Sequence, residues 1–170
     1  MVLEGKTALI TGGSSGIGLA AARALLDSGA RVAITGRSTE RLEKAAVELG
    51  GDVLPIDADV TSLTDLANMR TKLESAFGSL DIVFANAGVA MGTPLATTDE
   101  ATYHKIMDAN VKGVFFTVQA VLPLLQDGAS IILNTSWLNQ IGAPGRAILS
   151  ASKAAVRSFA RTMSAELLER

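Results

Sequence analysis

The clearest chemistry in this 170-residue chain lies in one stretch, Thr11-Gly12-Gly13-Ser14-Ser15-Gly16-Ile17-Gly18. It follows a short apolar run, Thr7 to Ile10, and opens a segment of helical period. In that context Gly12 permits a tight turn, while Gly16 and Gly18 let backbone and helix come close to a ligand. Unpaired N–H groups at a helix start, reinforced by the helix dipole, favour negative charge. The ligand this predicts is the diphosphate of a dinucleotide. The plain alternative is a glycine-rich strand-to-helix turn that binds nothing.

The elements that must position this turn alternate along the chain. The first strand, Thr7 to Ile10, leads into a helix from Ile17 that carries Leu19, Ala20, Ala24 and Leu25 and stops near Gly29. Arg31 to Thr35 is a second strand, Thr39 to Leu49 a second helix, and Asp52 to Ile56 a third strand. Pro55 cannot donate to a ladder, which sends that third strand to an edge. Leu66, Met69, Leu73 and Phe77 mark a helix from Ser62, closed by Gly78, before a fourth strand at Leu80 to Phe84. Thr97 with Glu100 fits a capping box that opens a long helix towards Leu125. Ser130 to Leu133 is the fifth strand, and Ser150 begins a last helix. Strands separated by helices pair in parallel through right-handed crossovers. The expected fold class is therefore α/β, a doubly wound parallel sheet of Rossmann type in the order 3-2-1-4-5, in one domain over residues 1–170.

Further short motifs occur in order. They are Thr11-Gly12-x-x-x-Gly16-x-Gly18, Asn86-Ala87-Gly88 after the fourth strand, and Asn110 within Asn-Val-Lys-Gly. Ser136 after the fifth strand and Ser150-Ala151-Ser152-Lys153 complete the set. Together they resemble the short-chain dehydrogenase/reductase family over the whole chain. The resemblance implies a hydride transfer between a nicotinamide and a carbonyl or secondary alcohol, with catalytic Asn110, Ser136 and Lys153. It implies cofactor contacts from Thr11, Gly12, Ser14, Ser15, Gly16, Ile17 and Gly18, with Asp59 and Val60 at the adenine and Asn86, Ala87 and Gly88 at the adenosine ribose. Lys153 would also hold the nicotinamide ribose, and Ser136 the substrate oxygen. Where NAD-specific members carry an acidic residue, this chain has Gly36, followed by Arg37 and Ser38. A guanidinium suits a phosphate, so NADP(H) is the expected cofactor; the alternative for Arg37 is a solvated arginine.

Two departures from the family pattern stand out. The position four residues before Lys153, where the family places its proton-transferring tyrosine, is Leu149. Leucine has no proton to offer, and losing general acid–base assistance typically costs about 10²–10⁴ in rate. Ser150 or Ser152 could stand in only as much poorer acids. The sole tyrosine, Tyr103, falls on the fourth helix, where a core or helix-interface role is expected. The second departure is that the family's sixth strand and substrate loop are not seen after the last helix, which leaves the fifth strand an apolar edge. A shortened gene product or a covering partner chain would each account for it. The expected function is thus an impaired NADP(H)-dependent oxidoreductase; the alternative is an NADP(H)-binding protein or subunit without turnover.

Composition narrows the remaining classes. Net charge is −2 with mixed signs along the chain, which does not suggest nucleic-acid binding. The absence of cysteine removes disulfides and thiolate chemistry and fits a reducing compartment. Neither a signal peptide nor a membrane span is expected, so the default location is cytoplasmic. No metal site is expected: His104 is the lone histidine and reads as a helix-surface residue. Trp137 reads equally as pocket wall or as packing. The helices near Thr98 and Ser150 resemble those that pair subunits in the family, so a homo-oligomer is expected, with a small carbonyl or alcohol as substrate.

Overall fold

The apolar runs of the sequence form five strands: β1 (Thr7–Thr11), β2 (Arg31–Gly36), β3 (Val53–Asp57), β4 (Leu80–Ala85) and β5 (Leu125–Leu133). The structure is a computed structural model that describes residues 1–170. The strands make one sheet in the order β3-β2-β1-β4-β5 with every pairing parallel. This is the doubly wound order read from the sequence. β3, with Pro55, takes one edge and β5 the other.

Helices α1 (Gly16–Asp27) and α2 (Thr39–Leu49) cover one face, and α3 (Leu63–Phe77) and α5 (Gly113–Val121) cover the other. Successive side chains of a strand point to opposite faces. Ala8 and Ile10 of β1 therefore pack with Ala22, Ile34 and Leu42, while Leu9 packs with Leu66, Met69, Leu73 and Val83. Every residue of β1 is buried, as a central strand covered on both sides requires.

Beyond β4 the helical register is more broken than the sequence suggests. The helix opens at α4 (Glu100–Met107), and its cap is Asp99, whose carboxylate accepts the Thr102 N–H at 2.8 Å. Thr97 is not the cap; the neighbouring Thr98 hydroxyl donates to the Pro94 carbonyl at 2.7 Å, which leaves Asp99 at the helix end. A carboxylate is the favoured group there because it meets the positive end of the helix dipole. A π-helical turn (Asp108–Lys112) separates α4 from α5, and a 3-10 turn (Leu122–Leu124) containing Pro123 ends the run.

β5 then starts at Leu125 rather than Ser130. Its first half, Gln126-Asp127-Gly128, is polar and exposed, and its pairing with β4 shifts register between Leu80 and Ile82, so no apolar run marks it. The last helix, α6 (Ala147–Glu166), also begins ahead of the expected Ser150. Tyr103 is exposed on α4 with its ring edge-on to His104, not in the core.

Candidate functional site

The carboxyl ends of β1, β2, β4 and β5 open onto a cleft of about 960 Å³. In open α/β sheets this end, where the strand order reverses, is where ligands bind. Gly12, at the end of β1, has φ +67, and a side chain there would press on the Ala87 backbone. A Cβ on Gly18 would collide with the Gly12 carbonyl oxygen, so the first turn of α1 can fold against the loop only as glycine. Ser15 at the start of α1 makes no side-chain cap. The first N–H groups of a helix have no intrahelical partner, and here they border the cleft. A cradle shaped by missing side chains and lined by unpaired donors fits a diphosphate.

Hydrogen bonds tie the strand ends together around this cradle. The Thr11 hydroxyl accepts the backbone N–H groups of both Asn86 and Ala87 at 3.0 Å. The Asn86 amide donates to the Thr11 carbonyl at 3.0 Å and accepts from the Asn134 amide at 2.9 Å. Asn134, just past β5, in turn offers its carbonyl to Lys153 Nζ at 2.8 Å. Thr11, Asn86, Asn134 and Lys153 thus link β1, β4, β5 and α6 in one chain of bonds. No motif marks Asn134 in the sequence; its place directly after an apolar strand is its only signal.

Ser14, Ser15, Gly16, Ile17, Arg37, Ser38, Asp59, Val60, Asn86, Ala87, Gly88, Ser136 and Lys153 line the cleft with Gly12. Thr11, Gly18 and Asn110 are buried and lie behind its wall. Arg37 is exposed, without an ion-pair partner, and Arg41 lines the same cleft. Ser38 caps α2 by accepting the Arg41 N–H at 3.3 Å. Asp59 accepts the N–H and hydroxyl of Thr61, both at 2.9 Å, so its side chain braces its own loop.

At the other end of the cleft, burial pushes the Lys153 ammonium below the usual lysine value. The Ser136 hydroxyl oxygen accepts the Leu138 N–H at 3.2 Å, which leaves its own proton to donate. Asn110 sits in the π-helical turn, fully buried: its Oδ1 accepts from Val89 N at 2.8 Å, and its Nδ2 donates to Val89 O and to Ser152 Oγ. Leu149 is buried in the cleft wall. Ser150 donates to the Leu138 carbonyl at 2.5 Å and Ser152 to the Leu149 carbonyl at 2.7 Å, so neither hydroxyl proton is directed at the cleft. Trp137, the residue after Ser136, is 64% exposed and stands outside the cleft wall, neither lining it nor packed in the core.

A family profile described as short chain dehydrogenase matches residues 6–170. The oxidoreductase asL5 of Sarocladium schorii is 43% identical over 167 residues, spanning 97% of this chain and 67% of that protein. The NADP-dependent (R)-specific alcohol dehydrogenase of Lentilactobacillus kefiri is 36% identical, spanning 94% of this chain and 66% of that protein. The chain therefore spans about two thirds of the length of these curated relatives. Among solved structures, a short chain dehydrogenase from Burkholderia cenocepacia in complex with NADP superimposes with a TM-score of 0.94 at 32% identity. That match covers 100% of this chain and 71% of the other.

Proposed function

The chain belongs to the short-chain dehydrogenase/reductase family, and on that premise we propose that it binds NADP(H) and transfers a hydride between the nicotinamide and a carbonyl or secondary alcohol. The observation that carries this reading is the glycine cradle with Arg37 and Arg41 at its adenosine end. Two guanidinium groups there suit a 2′-phosphate, the chain carries Gly36 where an acidic residue would oppose it, and the nearby Asp59 carboxylate is engaged by Thr61. The NADP named for the Burkholderia structure and for the Lentilactobacillus relative agrees with this choice.

The cofactor supplies the hydride chemistry; the residues of this chain orient and bind. One N–H of Lys153 goes to Asn134, and two remain for ribose hydroxyls. The Ser136 proton is free to hold a substrate oxygen. Asn110 has both amide protons engaged, so its part is to hold the Val89 backbone and the Ser152 turn of α6 in place. Leu149 leaves the proton-transfer position apolar, and turnover is therefore slow. A second reading, NADP(H) binding without turnover, is favoured by the engagement of Ser150 and Ser152, the two hydroxyls nearest in sequence to Leu149.

NADPH binding followed by fluorescence, then a carbonyl panel assayed with the natural chain and with Leu149→Tyr, separates the two. Restoring a general acid is expected to raise the rate by about 10²–10⁴. Binding without turnover in both proteins would favour the second reading. Rapid turnover by the natural chain would contradict the assignment of Leu149 as the missing proton donor.

A further inference from the structure

The first turn of α6 is capped from far away in the sequence. Its preceding residue, Arg146, makes no side-chain cap. Instead the buried Thr93 hydroxyl accepts the N–H of Ile148, the second residue of the helix, at 3.3 Å. An N-cap side chain takes this same bond, normally from the adjacent residue. The Thr93 backbone N–H also donates to the Gly145 carbonyl at 2.7 Å, and its hydroxyl reaches that carbonyl at 3.5 Å. Thr93 belongs to the loop after β4 that begins with Asn86-Ala87-Gly88, and Gly145 to the loop after β5 that carries Ser136. One side chain therefore pins two cleft-lining loops together and fixes the start of the helix that bears Leu149 and Lys153.

We infer that Thr93 is a positioning residue: by capping α6 from the opposite loop it sets where Lys153 meets the nicotinamide half of the cofactor. This rests on the cofactor reading above. Nothing in Thr93 touches the adenosine end, where Arg37, Arg41 and the glycine cradle stand. Its influence should accordingly be confined to the half of the dinucleotide that Lys153 reaches.

The test compares Thr93→Val, which keeps the shape and loses the acceptor, with Thr93→Ser, which keeps the hydroxyl. Affinity is measured for NADPH and for adenosine 2′,5′-bisphosphate, which lacks the nicotinamide half, and amide exchange is followed at Ile148 and Leu149. Thr93→Val is expected to speed that exchange and to weaken NADPH about threefold to tenfold, on the order of a lost helix cap. The bisphosphate should bind unchanged, and Thr93→Ser should behave as the natural chain. Equal weakening of both ligands, unchanged NADPH affinity in Thr93→Val, or failure of Thr93→Ser to rescue would overturn the inference. If the natural chain binds neither ligand, the cofactor reading falls by itself, and unchanged exchange in Thr93→Val then refutes the capping role independently.

Discussion

Arg37 and Leu149 line different parts of the cleft and ask different questions of the proposed dinucleotide. Arg37 is exposed and unpaired, so its removal costs the fold little and should report on the cofactor alone. Arg37→Ala is expected to weaken NADPH by about tenfold to a hundredfold, the value of a charged hydrogen bond of roughly 1.5–3 kcal/mol, and to leave NADH unchanged. Parallel titrations with the two dinucleotides check this; equal losses for both would contradict a 2′-phosphate contact. Gly18→Ala should be far more severe, because the new Cβ meets backbone rather than a movable side chain. The expected outcome is loss of dinucleotide binding with a lowered melting temperature. Gly18 was legible from its type and spacing in the glycine turn, and Arg37 and Leu149 only from the places the family resemblance gives them. Asn134 and Thr93 were not: an asparagine after a strand and a threonine in a loop acquire their roles only from bonds to Asn86 and Ile148, 48 and 55 positions away.

The strands and helices between these residues were legible wherever a local apolar period coincided with burial. β1, β2 and β4 and the helices α1 to α3 follow that rule. It failed where long-range contacts set the boundary. β5 starts in a polar stretch, and α6 starts early because its cap comes from another loop. A similar long-range staple holds the amino ends of the central strands. Asp81 of β4 accepts from Lys6 Nζ at 2.7 Å, from Thr7 N at 3.0 Å and from the Thr7 hydroxyl at 3.2 Å. Burial raises the Asp81 carboxyl, but the bonds from Lys6 and Thr7 outweigh it and hold it below the ordinary value. A carboxyl lowered on folding contributes stability that is present above its unfolded value, about 4, and lost as pH falls through the folded one. Thermal melts from pH 6 to pH 2 should therefore show a decline below about pH 4 that is smaller in Asp81→Asn. An identical decline in both proteins would remove the staple from the account.

At the scale of the whole molecule, two places expose large apolar side chains. α5 and α6 bring Phe115 and Phe159 together at 5.5 Å, with Phe115 36% exposed, and the β5 edge leaves Ile132 48% exposed. We propose that the Phe115 face meets a second copy of the chain, as exposed apolar area can. Sedimentation at micromolar concentration is expected to show a homo-oligomer that Phe115→Asp weakens; a strict monomer would contradict it. No helix is long and apolar enough to cross a membrane.

What joins these observations is the proposed cofactor cradle at the start of α1, with Arg37 just past β2 and Arg41 in the first turn of α2. A calorimetric titration of the folded natural chain with NADPH and with NADH should give saturable heat for NADPH, at least about tenfold tighter than for NADH. Saturation by neither dinucleotide would contradict the proposed cofactor site, and a preference for NADH would contradict the role of Arg37.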